Sequence, residues 1–283
     1  MRALAGSLLA LLLAVAGLVA PASAVSLDRP VSAAGEQPWS TYPTMDRDPV
    51  GSNDWTCQPT AERPYPAVLV HGTFGDRASL LDGLSWSLKQ DGHCVFSLDY
   101  GNRATGPIEE SAAQLDGFVD DVLAATGAPR VSIVGHSQGG MMPRYYIKYL
   151  GGDGLVEDLV GLAPSNHGTE VSGSLGSGET QGCEACDQQS AGSDFLEDLN
   201  NPDETPGDVD YTQVVTRYDE VVVPYTSGFL TGERSTNITL QDYCAANTAE
   251  HLTIPADRLA IAWVLHAFDV EGPADPAAPL GCL

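Results

Sequence analysis

Lysine is nearly absent from this chain. Only Lys89 and Lys148 occur, and 13 basic residues stand against 38 acidic ones, for a formal net charge of −25. Such a surface repels nucleic acid and anionic membranes, which excludes polyanion binding as the main activity. The acidity reads as a solubility device; tolerance of high salt, where self-repulsion is screened, is the sharper alternative. Beyond the N-terminal segment no apolar run is long enough to cross a bilayer. Internal repeats and dividing linkers are missing too. Cys183-x-x-Cys186 has no second C-x-x-C and no histidine pair beside it, so neither metal nor cofactor is expected.

At the N-terminus, Arg2 precedes an apolar run from Ala3 to Ala20 and then Pro21-Ala22-Ser23-Ala24. That order fits a secretory signal peptide cut after Ala24, with an uncleaved anchor as the alternative. No cysteine lies at the cleavage position to carry a lipid. Residues 25–283 have the size of one large α/β domain, expected to be exported and monomeric. Cys57, Cys94, Cys183, Cys186, Cys244 and Cys282 form an even set, which in an exported chain suggests three disulfides. Sequence leaves the pairing open; local order favours Cys57–Cys94, Cys183–Cys186 and Cys244–Cys282.

Val25 to Pro64 is rich in Pro, Ser, Asp and Trp without periodicity and reads as an irregular segment. Pro66 to His71 is a continuous apolar run, as expected of a parallel strand buried on both faces, and Cys94 to Tyr100 is a second. Ile108, Ala112, Leu115, Val119 and Val122 recur at helical spacing within Ile108–Thr126. Further strands are expected at Val131–Val134, Leu159–Ala163, Tyr211–Thr216 and Ser235–Leu240. Pro143 should kink the helix after Ser137, and Pro255 suits the first turn of a closing helix on which Leu259, Trp263 and Ala267 share a face. Strands alternating with helices imply a mostly parallel α/β sheet, here of six strands. Asn166–Asp210 is a long Gly-, Ser- and carboxylate-rich connection, expected to be a lid-like or binding loop with too few large apolar residues for a greasy lid.

Within Arg130–Gly140, the Val131–Val134 strand runs into Gly135-His136-Ser137-Gln138-Gly139, a G-x-S-x-G pattern, and a helix follows. A serine on such a strand–turn–helix elbow is pushed out at the top of a sheet, where its hydroxyl can attack a carbonyl. A Cβ on either glycine would meet a neighbouring strand or helix. Serine needs a base, and in elbow hydrolases the chain order is Ser, then Asp or Glu, then His. His251 falls in the loop before the last helix and is the candidate base. His167 precedes most acid candidates, and His266 lies in phase with Trp263 inside a helix. Asp219 follows a strand end and is the candidate acid, ahead of Glu220 and Asp242; its role is to hold the imidazole tautomer. The oxyanion needs two donors: the backbone N–H of Gln138 and that of Thr73, with the Thr73 hydroxyl as a candidate helper. Phe74 is assigned to the acyl pocket, His71 to fixing its loop, and His136, Met141 and Met142 to packing around the elbow.

V-H-G-T-F-G, G-H-S-Q-G-G-M-M-P-R-Y, L-A-P-S-N-H-G-T, Y-D-E-V-V-V-P-Y and E-H-L, in that order, resemble the secreted bacterial lipases of the lipase class 2 family. The resemblance runs from about Pro66 to His251. It implies an α/β-hydrolase fold and cofactor-free hydrolysis of triacylglycerols or related carboxylic esters. The family's roles carry onto Ser137, Asp219 and His251, with Thr73 and Gln138 as oxyanion donors. A polyester- or cutin-type hydrolase and a secreted acyltransferase with the same triad are the alternatives, and interfacial activation is expected to be weak.

Overall fold

Alternation along a strand sends successive side chains to opposite faces, and here it builds two separate cores on one sheet. The computed structural model describes residues 45–171 and 183–282. In chain order its elements are β1 (Ala67–Val70), α1 (Asp82–Gln90), β2 (Val95–Ser97), the short α2 (Gly101–Ala104) and α3 (Ile108–Thr126). Next come β3 (Val131–His136), α4 (Gln138–Met141), α5 (Pro143–Tyr149), β4 (Val156–Leu162), α6 (Glu184–Gln188) and α7 (Asp194–Asn200). The chain closes with β5 (Asp210–Val215), β6 (Ser235–Thr239), α8 (Leu240–Tyr243) and α9 (Arg258–Asp269). The six strands are all parallel, in the order β2-β1-β3-β4-β5-β6.

Val68, Val70, Ile133, Leu159 and Tyr211 face one core, which is covered by the α3 stripe and by Tyr146 and Ile147 of α5. Ala67, Leu69, Val134 and Val160 face the other, under Leu84 and Leu88 of α1 and Leu259, Trp263 and Ala267 of α9. Helices therefore cover both faces. β1 leads through α1 to β2 on one side, and the chain returns through α3 on the opposite face to β3 on the other side. The strand order thus reverses between β1 and β3, the place where open α/β sheets form a crevice at their C-terminal edge.

The expected segments are present, with four differences. The second strand is shorter than Cys94–Tyr100, because the chain turns into α2 at Gly101. Pro255 does not open the closing helix: it sits in a separate 3-10 turn, Ile254–Ala256, and α9 starts at Arg258 with the Asp257 side chain accepting from Leu259 N and Ala260 N. An N-cap aspartate satisfies orphan amides that a proline leaves open. Pro143 takes the first position of α5, which divides the stretch after Ser137 into two helices. The lid-like connection carries α6 and α7, whose Leu196 and Leu199 pack into the core.

The disulfides pair Cys57 with Cys94, Cys183 with Cys186 and Cys244 with Cys282, the set local order favours. Among the described residues no helix is long and apolar enough to cross a membrane. The reading of residues 1–24 as a signal peptide lies outside the described residues.

At the N-terminal edge of the sheet, Asp158 of β4 is buried opposite Asp210 of β5 and accepts a hydrogen bond from Ser132 Oγ at 2.7 Å. Burial pushes its carboxyl up to about 8, with the neighbouring Asp210 charge adding to the shift. The native state therefore holds a proton that the unfolded chain releases above its ordinary carboxyl pKa, so this site costs stability as pH rises from about 4 to 8. Asp158→Asn should flatten that decline: its melting temperature is expected to fall less than the parent's between pH 5 and pH 9. Equal slopes in the two proteins would show that Asp158 is not the proton held.

Candidate active site

Ser137 follows the last residue of β3 and adopts φ 56° and ψ −125°, a left-handed backbone that non-glycine residues rarely hold. Its neighbours explain how that turn is made. A Cβ on Gly135 would lie 1.8 Å from Gly139 O, and a Cβ on Gly139 would lie 2.3 Å from Val70 O of β1. Both glycines are thus required by close backbone approach. Ser137 N donates to Leu162 O at 2.9 Å, which ties the turn to β4.

The loops after β5 and β6 bring the other two candidates to this serine. His251 Nε2 lies 3.0 Å from Ser137 Oγ, and His251 Nδ1 lies 2.9 Å from Asp219 Oδ2. The other oxygen, Asp219 Oδ1, accepts from Val221 N at 2.9 Å and Val222 N at 2.7 Å. With its carboxylate held on both oxygens, Asp219 can accept Nδ1–H of the imidazole, an arrangement that would leave Nε2 as an acceptor facing Ser137 Oγ. All three side chains are buried. Around them the loops are cross-braced: Tyr218 bridges Glu250, Thr216 Oγ1 donates to Ala249 O at 2.6 Å, and Gln241 Nε2 donates to Thr216 Oγ1 at 2.8 Å.

The loop after β1 lies against the serine, since a Cβ on Gly72 would stand 2.9 Å from Ser137 Cβ. Thr73 N makes no hydrogen bond among the described residues, and Gln138 follows the serine as the first residue of α4. Thr73 Oγ1 accepts from the Gln138 and Gln189 side-chain amides, each at 3.0 Å. Phe74, at φ 64°, is anchored through its N–H to Arg103 O at 2.7 Å and packs with Val221 and the Cys183–Cys186 disulfide. This makes an apolar patch flanked by the Thr73 loop on one side and the Asp219 loop on the other. Among the described residues no group of acidic, histidine or cysteine side chains is arranged to hold a metal ion.

The rejected candidates have other work. His167 Nε2 pairs with Glu204 Oε1 at 3.0 Å, His266 Nε2 accepts from Asp275 N at 3.2 Å, and Asp242 pairs with Arg217. His71 donates Nδ1–H to Gly72 O at 2.8 Å and stacks on Tyr100, which fits a loop-fixing part. His136 does more than pack. Its Nε2–H donates to His251 O at 2.8 Å, so the elbow directly holds the backbone of the candidate base. Burial, with the nearby His251 charge second, drives the His136 imidazole down to about 3. It is therefore a neutral donor at neutral pH. Its place beside Ser137 was the only sequence signal for this contact; for Gln189 there was none.

Residues 64–261 match the family model described as Lipase (class 2). A triacylglycerol lipase of Vibrio cholerae serotype O1 is 38% identical over 136 residues, 42% of this chain and 42% of that protein. A triacylglycerol lipase of Pseudomonas fragi is 32% identical over 119 residues, covering 39% of this chain and 38% of its own. The chain thus aligns with less than half the length of these curated relatives. Among solved structures, Aspergillus fumigatus lipase B superposes with a TM-score of 0.67 at 18% identity, over 85% of this chain and 68% of that one. The mature form of Bacillus licheniformis lipase BlEst2 gives 0.60 at 15% identity, over 78% and 97%. At those identities the likeness is one of fold, the six-stranded α/β-hydrolase sheet.

Removing the His136 contact should loosen the His251 backbone without touching the serine. His136→Ala is expected to slow covalent labelling of Ser137 by a fluorophosphonate about tenfold, a fraction of what a general base supplies. His136→Gln, which can still donate to a carbonyl, should recover part of the rate. Labelling at the parental rate in both variants would leave His136 as packing alone.

Proposed function

We propose that this chain, which belongs to the class 2 lipase family, is an exported serine hydrolase that cleaves carboxylic esters such as acylglycerols. The observation that carries the reading is the unbroken hydrogen-bonded path from Ser137 Oγ through His251 to Asp219. In this reading Ser137 Oγ attacks the ester carbonyl while His251 Nε2 takes its proton. Asp219 stabilises the imidazolium and does not itself become protonated. The tetrahedral oxyanion is met by the N–H groups of Gln138 and Thr73. Collapse expels the alcohol, which receives the proton from His251. Water then repeats the sequence on the acyl-enzyme and releases the acid.

The acyl group is assigned to the apolar patch of Phe74, Val221 and the Cys183–Cys186 disulfide, which borders the oxyanion loop. Nothing in this scheme needs a cofactor. Three disulfides and the charged-then-apolar N-terminus support export. Leu196 and Leu199 of the β4–β5 connection are committed to the core, which supports weak activation at a lipid surface.

Ser137→Ala should reduce hydrolysis of p-nitrophenyl esters by about a millionfold, the scale on which a serine nucleophile is removed. Asp219→Asn should cost about ten-thousandfold through the wrong imidazole tautomer. Parental activity in Ser137→Ala would overturn the assignment, and dominant ester product in the presence of methanol would favour an acyltransferase. Carried from two-carbon to sixteen-carbon esters and then to tributyrin across its solubility limit, the same assay sorts esterase from lipase. A steep rise at the limit would contradict weak interfacial activation.

A further inference from the structure

Gln189 is fully buried and stands at the C-terminal cap of α6, three residues after Cys186. Its Nε2 donates to Ala185 O and to Thr73 Oγ1, each at 3.0 Å, and its Oε1 accepts from Ser165 Oγ at 2.9 Å. A backbone carbonyl can only accept, so Ala185 O fixes which end of the amide faces Thr73. Gln138 arrives from the other side under the same constraint: its Nε2 donates to Ala104 O at 2.9 Å and to Thr73 Oγ1 at 3.0 Å. A threonine oxygen has two lone pairs and one proton. Two amide N–H groups fill both lone pairs. The remaining capacity of Thr73 Oγ1 is its O–H, and among the described residues that O–H has no acceptor.

We propose that Gln189 is a positioning residue that, with Gln138, turns the Thr73 hydroxyl into a third donor to the oxyanion. The long β4–β5 connection then serves catalysis from beneath. Its α6 segment, braced by the Cys183–Cys186 disulfide and by Ala185 N donating to Thr105 O at 3.2 Å, presents the amide that orients the hydroxyl. Without Gln189 one lone pair of Thr73 is free, and the hydroxyl can rotate away from the carbonyl it serves. The loss would fall on the transition state, where the oxyanion exists, and hardly on substrate binding.

The inference rests on the serine ester hydrolase reading, and the two fail separately. Parental activity in Ser137→Ala sinks that reading, whereas the present one is decided by a double-mutant cycle between Thr73→Val and Gln189→Met. Rates are normalised to sites titrated with a fluorophosphonate, so only folded enzyme is counted. Thr73→Val is expected to lower kcat about a hundredfold, as loss of one oxyanion donor does, and Thr73→Ser to retain most activity. Gln189→Met, close in volume but without a donor, should lower kcat about tenfold with KM within about twofold of the parent. In the Thr73→Val background Gln189→Met should cost less than about twofold further, because the hydroxyl it serves is gone. Multiplicative losses in the double variant, an unchanged kcat in Gln189→Met, or a loss confined to KM would each overturn the proposal. If Gln189→Met does not accumulate folded, Ser165→Ala removes only the group that holds Gln189 Oε1. It should lower kcat several-fold in the parent and not in Thr73→Val, and equal losses in both backgrounds would overturn the proposal.

Discussion

The left-handed backbone of Ser137 is the constraint on which the rest depends. A residue in that conformation costs roughly 1–3 kcal/mol, so it persists only where its surroundings leave it no alternative. Here β3 delivers the chain from a fully buried strand, and α4 carries it away directly over β1. The absence of side chains at Gly135 and Gly139 is what lets strand and helix approach so closely. The two cores keep the sheet rigid enough to enforce the turn. Each large side chain they bury, such as Trp263 or Ile133, is worth about 2 to 5 kcal/mol against truncation, enough to offset the local strain.

Once the serine is fixed, the remaining groups have to find it from loops far apart in sequence. None is left to its own loop. Asp219 is held by two backbone amides, the His251 backbone by His136, and the start of the Thr73 loop by Tyr100 Oη donating to His71 O at 2.5 Å. His136 is the most economical of these braces, since a residue inside the elbow positions the loop that must serve the elbow. Positioning of this kind matters because proton transfer and attack depend on sub-ångström alignment, which a free surface loop does not keep.

The elements with strong local signals were legible in the sequence. Ile108–Thr126 could be read from one stripe, and the G-x-S-x-G elbow from a strand, two glycines and a helix. The order Ser, Asp, His then singled out Asp219 and His251, which the fold brings together with Ser137. Nearness along the chain favoured, without fixing, the three disulfide pairings that the fold forms. What sequence did not yield is set by long-range packing. α6 and α7 are too short, at 5 and 7 residues, to show a helical period. Asp257 caps α9 in place of the expected Pro255 opening because the chain inserts a 3-10 turn first. Gln189 reaches Thr73 across 116 residues, and no local pattern marks such a contact.

The acidic composition bears on how a tetrahedral oxyanion would be stabilised at this site. Excess carboxylates over the surface oppose the build-up of negative charge on a tetrahedral oxyanion, although salt screens those beyond about 8–10 Å. No lysine or arginine of the described residues bonds to the side chains of Ser137, Asp219 or His251. Arg144, a fully buried cation of α5, is taken up by Glu204 O, Asn166 Oδ1 and Asn200 Oδ1, where it ties the β4–β5 connection down. In the proposed mechanism the oxyanion is met by short, directed dipoles: two backbone N–H groups and a hydroxyl whose lone pairs are filled. Dipoles at contact distance lose little to bulk salt and little to distant like charge. A highly acidic exterior and the proposed set of neutral donors are thus compatible for one physical reason, and the glutamines proposed to orient Thr73 are part of it.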